Sequence, residues 1–153
     1  MIKQHLAWEA ALIALKERFQ QNPTPEARRC LANAYSLSVL YLTDFSGALP
    51  RVNAAIDLEP LNPLHRYRLA LLYMCFGQWQ DAQQILQKLT EQLPNLVLPQ
   101  YLRGLTFLRL DEPKRAVNLA TEIMLKNPQF VWARFLLAEA HIRQTQKRSE
   151  RYL

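Results

Sequence analysis

A step of 34 residues organises this chain. Ser36, Ala70, Gly104 and Ala138 stand on one rung of the ladder, and all are small. Val39, Tyr73, Phe107 and His141 stand on the next, three of them β-branched or aromatic. Ala48, Ala82 and Ala116 share a rung, and so do Pro60, Pro94 and Pro128. The stretch 69–94, LALLYMCFGQWQDAQQILQKLTEQLP, shows the unit whole: a helix, a short turn, a second helix and a proline stop. Two antiparallel helices cross closely only where side chains are small, and Ala70 and Ala82 are expected to supply that contact within one hairpin. Tyr73 and its equivalents then fill the space toward the neighbouring hairpin. Proline cannot continue a helix, so it ends the second one and turns the chain into the next repeat.

Composition narrows what such a ladder can be. The 153 residues suffice for one domain with a core, and half are hydrophobic. No apolar run reaches the roughly 18 to 20 residues that a membrane span needs. Residues 1–21 carry Lys3, Glu9, Lys16, Glu17 and Arg18 through an amphipathic pattern, not a basic start followed by an apolar block, so no secretory signal is expected. Three glycines and few β-branched clusters argue against sheets. Cys30 and Cys75 form neither a disulfide framework nor a CxxC and read as small fillers in a reduced compartment, which points to the cytoplasm. The net charge of +6 favours acidic partners. Its cations are scattered, however, and dense only between Arg143 and Arg151, which argues against nucleic acid.

In chain order, 4–21 places Leu6, Trp8, Ala11, Leu12, Leu15 and Phe19 on one helical face. Thr24 suits an N-cap, with Pro25 at the first helical position. A helix over 26–42 follows, and then a turn over 43–47. Pro50 in the next helix predicts a late start or a bend. Gly77 permits a tight turn before Trp79 opens a helix. One repeat later Asp111, Glu112 and Pro113 replace it, one of the acids serving the helix start. The last helix, 131–146, carries Trp132, Phe135, Leu136, Ala138 and Ile142, and 147–153 reads as a basic tail.

The small residue, the large residue three later, the alanine and the terminal proline resemble the tetratricopeptide-repeat family. The resemblance covers 29–62, 63–96 and 97–130 as full repeats, with 131–146 opening a fourth and 1–28 as a capping helix or half repeat, in a single domain over 1–153. Trp8, Ala11, Leu15 and Pro23 resemble second-helix rungs displaced by three residues. Arg103 stands where the family usually has leucine, so it is expected to reach solvent or pair with an acid. The implied fold is all-α: a right-handed superhelical solenoid of antiparallel helix hairpins, with first helices lining its concave face. The resemblance places Cys30, Asn33, Leu37, Leu40 and Tyr41 on that face, then Leu64, Tyr67, Leu71, Met74 and Cys75, then Leu98, Tyr101, Leu105, Leu108 and Arg109. The partial repeat adds Trp132, Phe135, Glu139, Ile142 and Arg143. Family members that clamp the acidic C-terminus of heat-shock chaperones place Lys, Arg and Asn there. Only Asn33 fits its place in that pattern, while Arg68 and Arg109 lie nearby without completing it.

A mostly apolar groove suits a protein or peptide segment with hydrophobic anchors, held by Asn33, Leu37, Tyr41, Tyr67, Leu71, Met74, Tyr101, Leu105, Leu108 and Phe135. The competing expectation is that these side chains are core or are covered by a second copy. With no second helix expected after 131–146 to cap it, Trp132 and Leu136 would be partly exposed or covered by a second copy in a homodimer. A third expectation is an adaptor for an acidic surface, led by Arg143, Lys147, Arg148 and Arg151. Catalysis is not indicated. His5, His65 and His141 are far apart, His141 sharing the rung of Tyr73 and Phe107 reads as packed or capping, and no HExxH, phosphate loop, metal cluster or cofactor motif occurs. The reading is therefore a non-enzymatic scaffold, similar in size and character to small bacterial secretion chaperones of the family.

Overall fold

The computed structural model describes residues 2–39 and 44–150. Among them run eight helices and no strand: α1 (Ile2–Gln21), α2 (Pro25–Ser38), α3 (Phe45–Leu58), α4 (Pro63–Cys75), α5 (Trp79–Gln92), α6 (Val97–Arg109), α7 (Pro113–Lys126) and α8 (Trp132–Glu150). The fold is all-α. Its helix bounds keep the period of the sequence: α3, α5 and α7 start at Phe45, Trp79 and Pro113, each 34 residues from the next, and their last residues keep the same step. Pro63 and Val97, the first residues of α4 and α6, do likewise. The last helix runs on to Glu150, so the stretch from Lys147 that reads as a tail in the sequence is helical that far, and Arg151 lies outside the described residues.

The period rests on two kinds of punctuation. The residue before a proline is pushed off helical backbone. Glu59, Leu93 and Asn127, each preceding a rung proline, accordingly share ψ values of 71°, 64° and 69°. Each still donates its N–H into the helix it ends, to the carbonyls of Ala55, Leu89 and Ile123. The second kind is the turn inside a hairpin. Gly77 has φ of 73°, its N–H donates to the Met74 carbonyl, and the Gln78 N–H donates to the Tyr73 carbonyl. This pair of bonds is the glycine-type C-terminal cap of a helix. One repeat on, Asp111 takes the same left-handed place at φ of 58°, with bonds from Asp111 and Glu112 to the Leu108 and Phe107 carbonyls. Asp111 therefore closes α6, and Glu112 stands at the N-cap of α7 without a side-chain capping bond. Aspartate is among the few residues that tolerate this backbone.

The chain divides into two compact units, one up to Leu72 and the other from Tyr73, so the division falls within α4. In the first unit α1 packs on α2 and α2 on α3. Leu12 of α1 meets Leu31 and Ala34 of α2, with Leu15, Phe19, Tyr35 and Leu58 closing around them. Arg51 of α3 donates to the Glu9 carboxylate of α1 at 2.6 Å. Thr24 caps α2, its hydroxyl accepting the Ala27 N–H at 3.1 Å, with Pro25 at the first helical position. Pro50 delays nothing. The Asp44 carboxylate accepts the Gly47 N–H and the Ser46 hydroxyl, both at 2.7 Å, and starts α3 at Phe45. Those two donors hold the Asp44 carboxyl below its ordinary range. Pro50 sits inside the helix on its exposed side, where the carbonyl it leaves unserved faces solvent.

His65 of α4 is completely buried, and its Nε2 donates to Glu59 at 3.0 Å. The Asn62 amide donates to the same carboxylate at 3.0 Å. Burial pushes the Glu59 carboxyl up, but the bonds from His65 and Asn62, with His65 and Arg29 acting through charge, outweigh it and hold the group below its ordinary range.

In the second unit α5 packs on α6, α6 on α7, and both α6 and α7 on α8. Its core joins Phe107 and Leu108 of α6, Ala116 and Ala120 of α7, and Leu136 and Ala140 of α8. Ala116, like Ala48 and Ala82 on its rung, is buried to 1 % exposure or less. The rung of Gly104 behaves differently from the expectation of a contact inside one hairpin. A Cβ at Gly104 would stand 2.3 Å from Cδ2 of Leu136, so its missing side chain admits the next first-helix, α8. Leu136 is consequently core, at 1 % exposure, and not the surface residue that the sequence suggested. Arg103 also departs from expectation: among the described residues no acid lies within ion-pair distance. Its guanidinium stands 5.5 Å from the centroid of the Phe107 ring, whose face Arg115 also covers at 4.2 Å. Burial, and then the Arg115 charge, push its pKa down.

Two outcomes follow from these contacts. Gly104→Val forces Leu136 off its packed rotamer, and overpacking of this kind costs about 1–3 kcal/mol; denaturant unfolding should show the loss. The Leu136→Ala background should recover part of it, because the two sites share one gap. Glu59→Gln should cost about 1.5–3 kcal/mol at neutral pH, the scale of a hydrogen bond to a charged group. The folded-state pKa of Glu59 is depressed, so the folded chain holds fewer protons here and this stability is present above the unfolded glutamate pKa. As pH falls through the lowered folded-state value, the difference between variant and parent should vanish in urea titrations.

Candidate partner-binding surface

The residues expected on the groove face fall into two sets. In the first unit Asn33 and Leu37 of α2 and Tyr67 and Leu71 of α4 are all half-buried. Arg68 Nη1 donates to the Ser36 hydroxyl at 2.7 Å and ties these two first-helices together. Burial raises the Tyr67 phenol pKa. Leu40 and Tyr41 lie outside the described residues.

The second unit contributes Met74, half-buried at the end of α4, and a larger set on α6 and α8. Tyr101 and Leu105 are half-buried and Leu98 is exposed. Leu108 is core at 3 % exposure. On α8, Trp132 and Phe135 are exposed at 59 % and 62 %, with ring centroids 5.7 Å apart, and Ile142 is exposed at 59 %. Residues three and four apart share a helical face, which carries the row from Phe135 through Glu139 to Ile142. Electrostatics join the two helices: burial, and then the Glu139 charge, raise the pKa of Tyr101. Glu139 accepts from Arg143 at 2.8 Å, and Arg143 also donates to the Leu108 carbonyl of α6 at 3.0 Å. Sequence reasoning missed Phe130, which meets Tyr101 edge-on at 5.5 Å. Its equivalents one and two repeats earlier are Leu96 and Asn62, so the ladder marks no aromatic there.

The two arginines nearest a carboxylate-clamp pattern are engaged elsewhere: Arg68 on Ser36, and Arg109 over the Trp79 ring at 5.4 Å. Of the histidines, His65 is buried against Glu59 and His141 is exposed, not packed. Among the described residues no three His, Cys, Asp or Glu side chains form a metal-sized group, and no helix is long and apolar enough to cross a membrane. Cys30 and Cys75 are free and exposed.

A family model for the tetratricopeptide repeat matches residues 40–105. These residues are tetratricopeptide repeats. A comparison with curated proteins found no match. Solved structures share the fold at low identity. MamA from Desulfovibrio magneticus RS-1 is 18% identical over 93% of this chain and 78% of its own, with a TM-score of 0.71. TTC0263, a thermophilic tetratricopeptide protein of Thermus thermophilus, is 17% identical over 92% of this chain and 76% of its own, with a TM-score of 0.61. Acl4, an assembly chaperone of RpL4, is 15% identical over 97% of this chain and 62% of its own, with a TM-score of 0.56. Proteins built of tetratricopeptide repeats generally mediate protein–protein interactions and are generally not enzymes.

The pairing of Tyr101 with Glu139 across the repeats can be read directly. Glu139→Gln removes the negative charge but leaves the burial, so the Tyr101 phenol should titrate at lower pH than in the parent chain while staying above an ordinary tyrosine. NMR of ring-labelled tyrosine across the alkaline range checks this.

Proposed function

We propose that this chain is a non-enzymatic scaffold that holds a hydrophobic segment of a partner protein on the first-helix face of its repeats. The observation that carries the reading is the row Trp132, Phe135 and Ile142, three large apolar side chains each more than half exposed on one helix, with Leu98 exposed and Tyr101 half-buried on α6. Exposed apolar patches mark interaction sites, and aromatic anchors dominate binding energy. Leu64 and Tyr67 stand at the repeat positions of Leu98 and Tyr101 in the first unit. An amphipathic helix or an extended strand with anchors three to four residues apart matches this chemistry. Acl4 is an assembly chaperone, and a chaperone or assembly factor is the role proposed for this chain.

Exposure of Trp132, Phe135 and Ile142 also supports a second reading, burial of this face against another copy of the chain. One experiment separates the two. Phage-displayed peptides are selected on the immobilised chain and their affinities measured, with light scattering run over the same concentrations. A scaffold enriches peptides with spaced aromatic or aliphatic anchors. Their binding should fall about tenfold or more in Phe135→Ala and in Tyr101→Ala, the loss typical of a central anchor. Leu61→Ala, at an exposed position in the turn between α3 and α4, should change nothing. No enrichment, together with a mass that rises with concentration and drops in Trp132→Glu, would replace the scaffold with self-association.

A further inference from the structure

The second unit carries another recess, chemically opposite to the apolar face. The turn between α6 and α7 and the last turns of α8 flank an open cleft of about 790 Å³. That volume lies within the range of ligand clefts, large enough for several residues of an extended peptide. Lys114, Arg115, Lys147 and Arg148 line it, together with Asp111 and Glu112. The acids are already used. Glu112 accepts from Arg115 at 2.7 Å, and Asp111 accepts from Lys147, which also donates to the Asp111 carbonyl at 3.0 Å. Lys114 and Arg148 have no ion pair among the described residues. The cleft is therefore left with two uncompensated positive charges, four cations against two carboxylates.

Four features make this more than a solvated charged surface. Lys147 is held to both the backbone and the side chain of the α6–α7 turn, so the end of α8 is fixed as one wall. Asp111 is held in left-handed backbone by the cap it forms on α6, which fixes the opposite wall. Glu112 leaves the first turn of α7 without a side-chain cap, so the positive end of that helix adds to the field beside Lys114. Arg115, anchored on the Phe107 ring, is not free to swing out.

We propose that this cleft binds an acidic segment of a partner protein, with Lys114 and Arg148 pairing its carboxylates. Charge complementarity selects that occupant. A peptide with two or three carboxylates matches the two spare cations. A nucleic-acid strand brings a continuous row of phosphates, which would meet Asp111 and Glu112 as well. The site is separate in residues from the apolar face, so either can fail without the other.

The test uses the full chain and a fluorescein-labelled ten-residue peptide of alternating Glu and Ala, with its Gln counterpart and a single-stranded RNA ten-mer. Anisotropy is read at low and raised salt. The Glu peptide should bind saturably and weaken with salt, the Gln peptide should not bind, and the RNA should bind less well. The double variant Lys114→Glu, Arg148→Glu should lose about tenfold or more, the scale on which reversing paired charges acts. Lys16→Glu, Lys88→Glu, which removes the same net charge from exposed positions outside the cleft, should change affinity by less than about twofold. Equal loss in both double variants would reduce the effect to overall charge and overturn the proposal. Tighter binding of RNA that depends on Lys114 and Arg148 would overturn it in favour of nucleic acid, and unaltered binding in the cleft variant would place the acidic ligand elsewhere.

Discussion

The absence of a side chain at Gly104 is the constraint on which the second unit depends. Leu136 occupies the volume that a Cβ would need, and around that contact Phe107, Leu108, Ala116, Ala120 and Ala140 seal. Side chains larger than alanine at Ala116 or Ala120 would hold α7 away from α6, and a side chain at Gly104 would hold α8 away. Both separations act on the same core, so small residues are needed on both helices of a repeat and for two different neighbours. This is why the ladder has two small rungs. Either crossing alone would need one.

Spacing of the helices follows from punctuation more than from their own propensities. Gly77 and Asp111 reverse the chain after first helices, and the residues before Pro60, Pro94 and Pro128 close second helices with nearly one backbone geometry. Because both stops recur at 34 residues, the α4–α5 and α6–α7 hairpins have the same helix lengths at the same step. The residues proposed for binding inherit that step: Tyr67 and Tyr101 stand one repeat apart, and Phe135 holds the same position on α8.

Much of this was legible in the sequence because it rests on single residue types with single physical consequences. Proline ends a helix wherever it stands before a turn, and the alanines at 48, 82 and 116 fit nowhere but a close crossing. What the pattern did not reveal depends on partners distant in sequence or on a cap outside the helix itself. Pro50 looked disruptive, yet Asp44 caps α3 strongly enough for the helix to begin before it. Leu136 looked exposed because it sits on the last helix, but a glycine 32 positions earlier opens a socket for it. Arg103 looked like a misplaced leucine bound for solvent or an acid, and it lies half-buried against an aromatic face shared with Arg115. His141 shares a rung with buried Phe107, but no further helix among the described residues packs on that side of α8, so it stays in solvent.

The two candidate surfaces of the second unit obey different physics, and this bears on what kind of partner fits. The face with Trp132, Phe135 and Ile142 gains energy by removing apolar area from water, at short range and with little sensitivity to salt. The cleft with Lys114 and Arg148 acts at longer range and is weakened by salt. A partner carrying an amphipathic segment and, at some distance along its chain, a run of acids would engage both: the acids would speed encounter, and the apolar anchors would slow release. Linking two weak contacts in one chain raises the overall affinity well beyond either alone, provided the linker can span them. An ordinary protein segment meets that requirement more readily than a small ligand, which can occupy only one of the two sites. The pairing of an apolar face with a separate basic cleft therefore argues for a polypeptide partner on grounds that neither surface supplies alone.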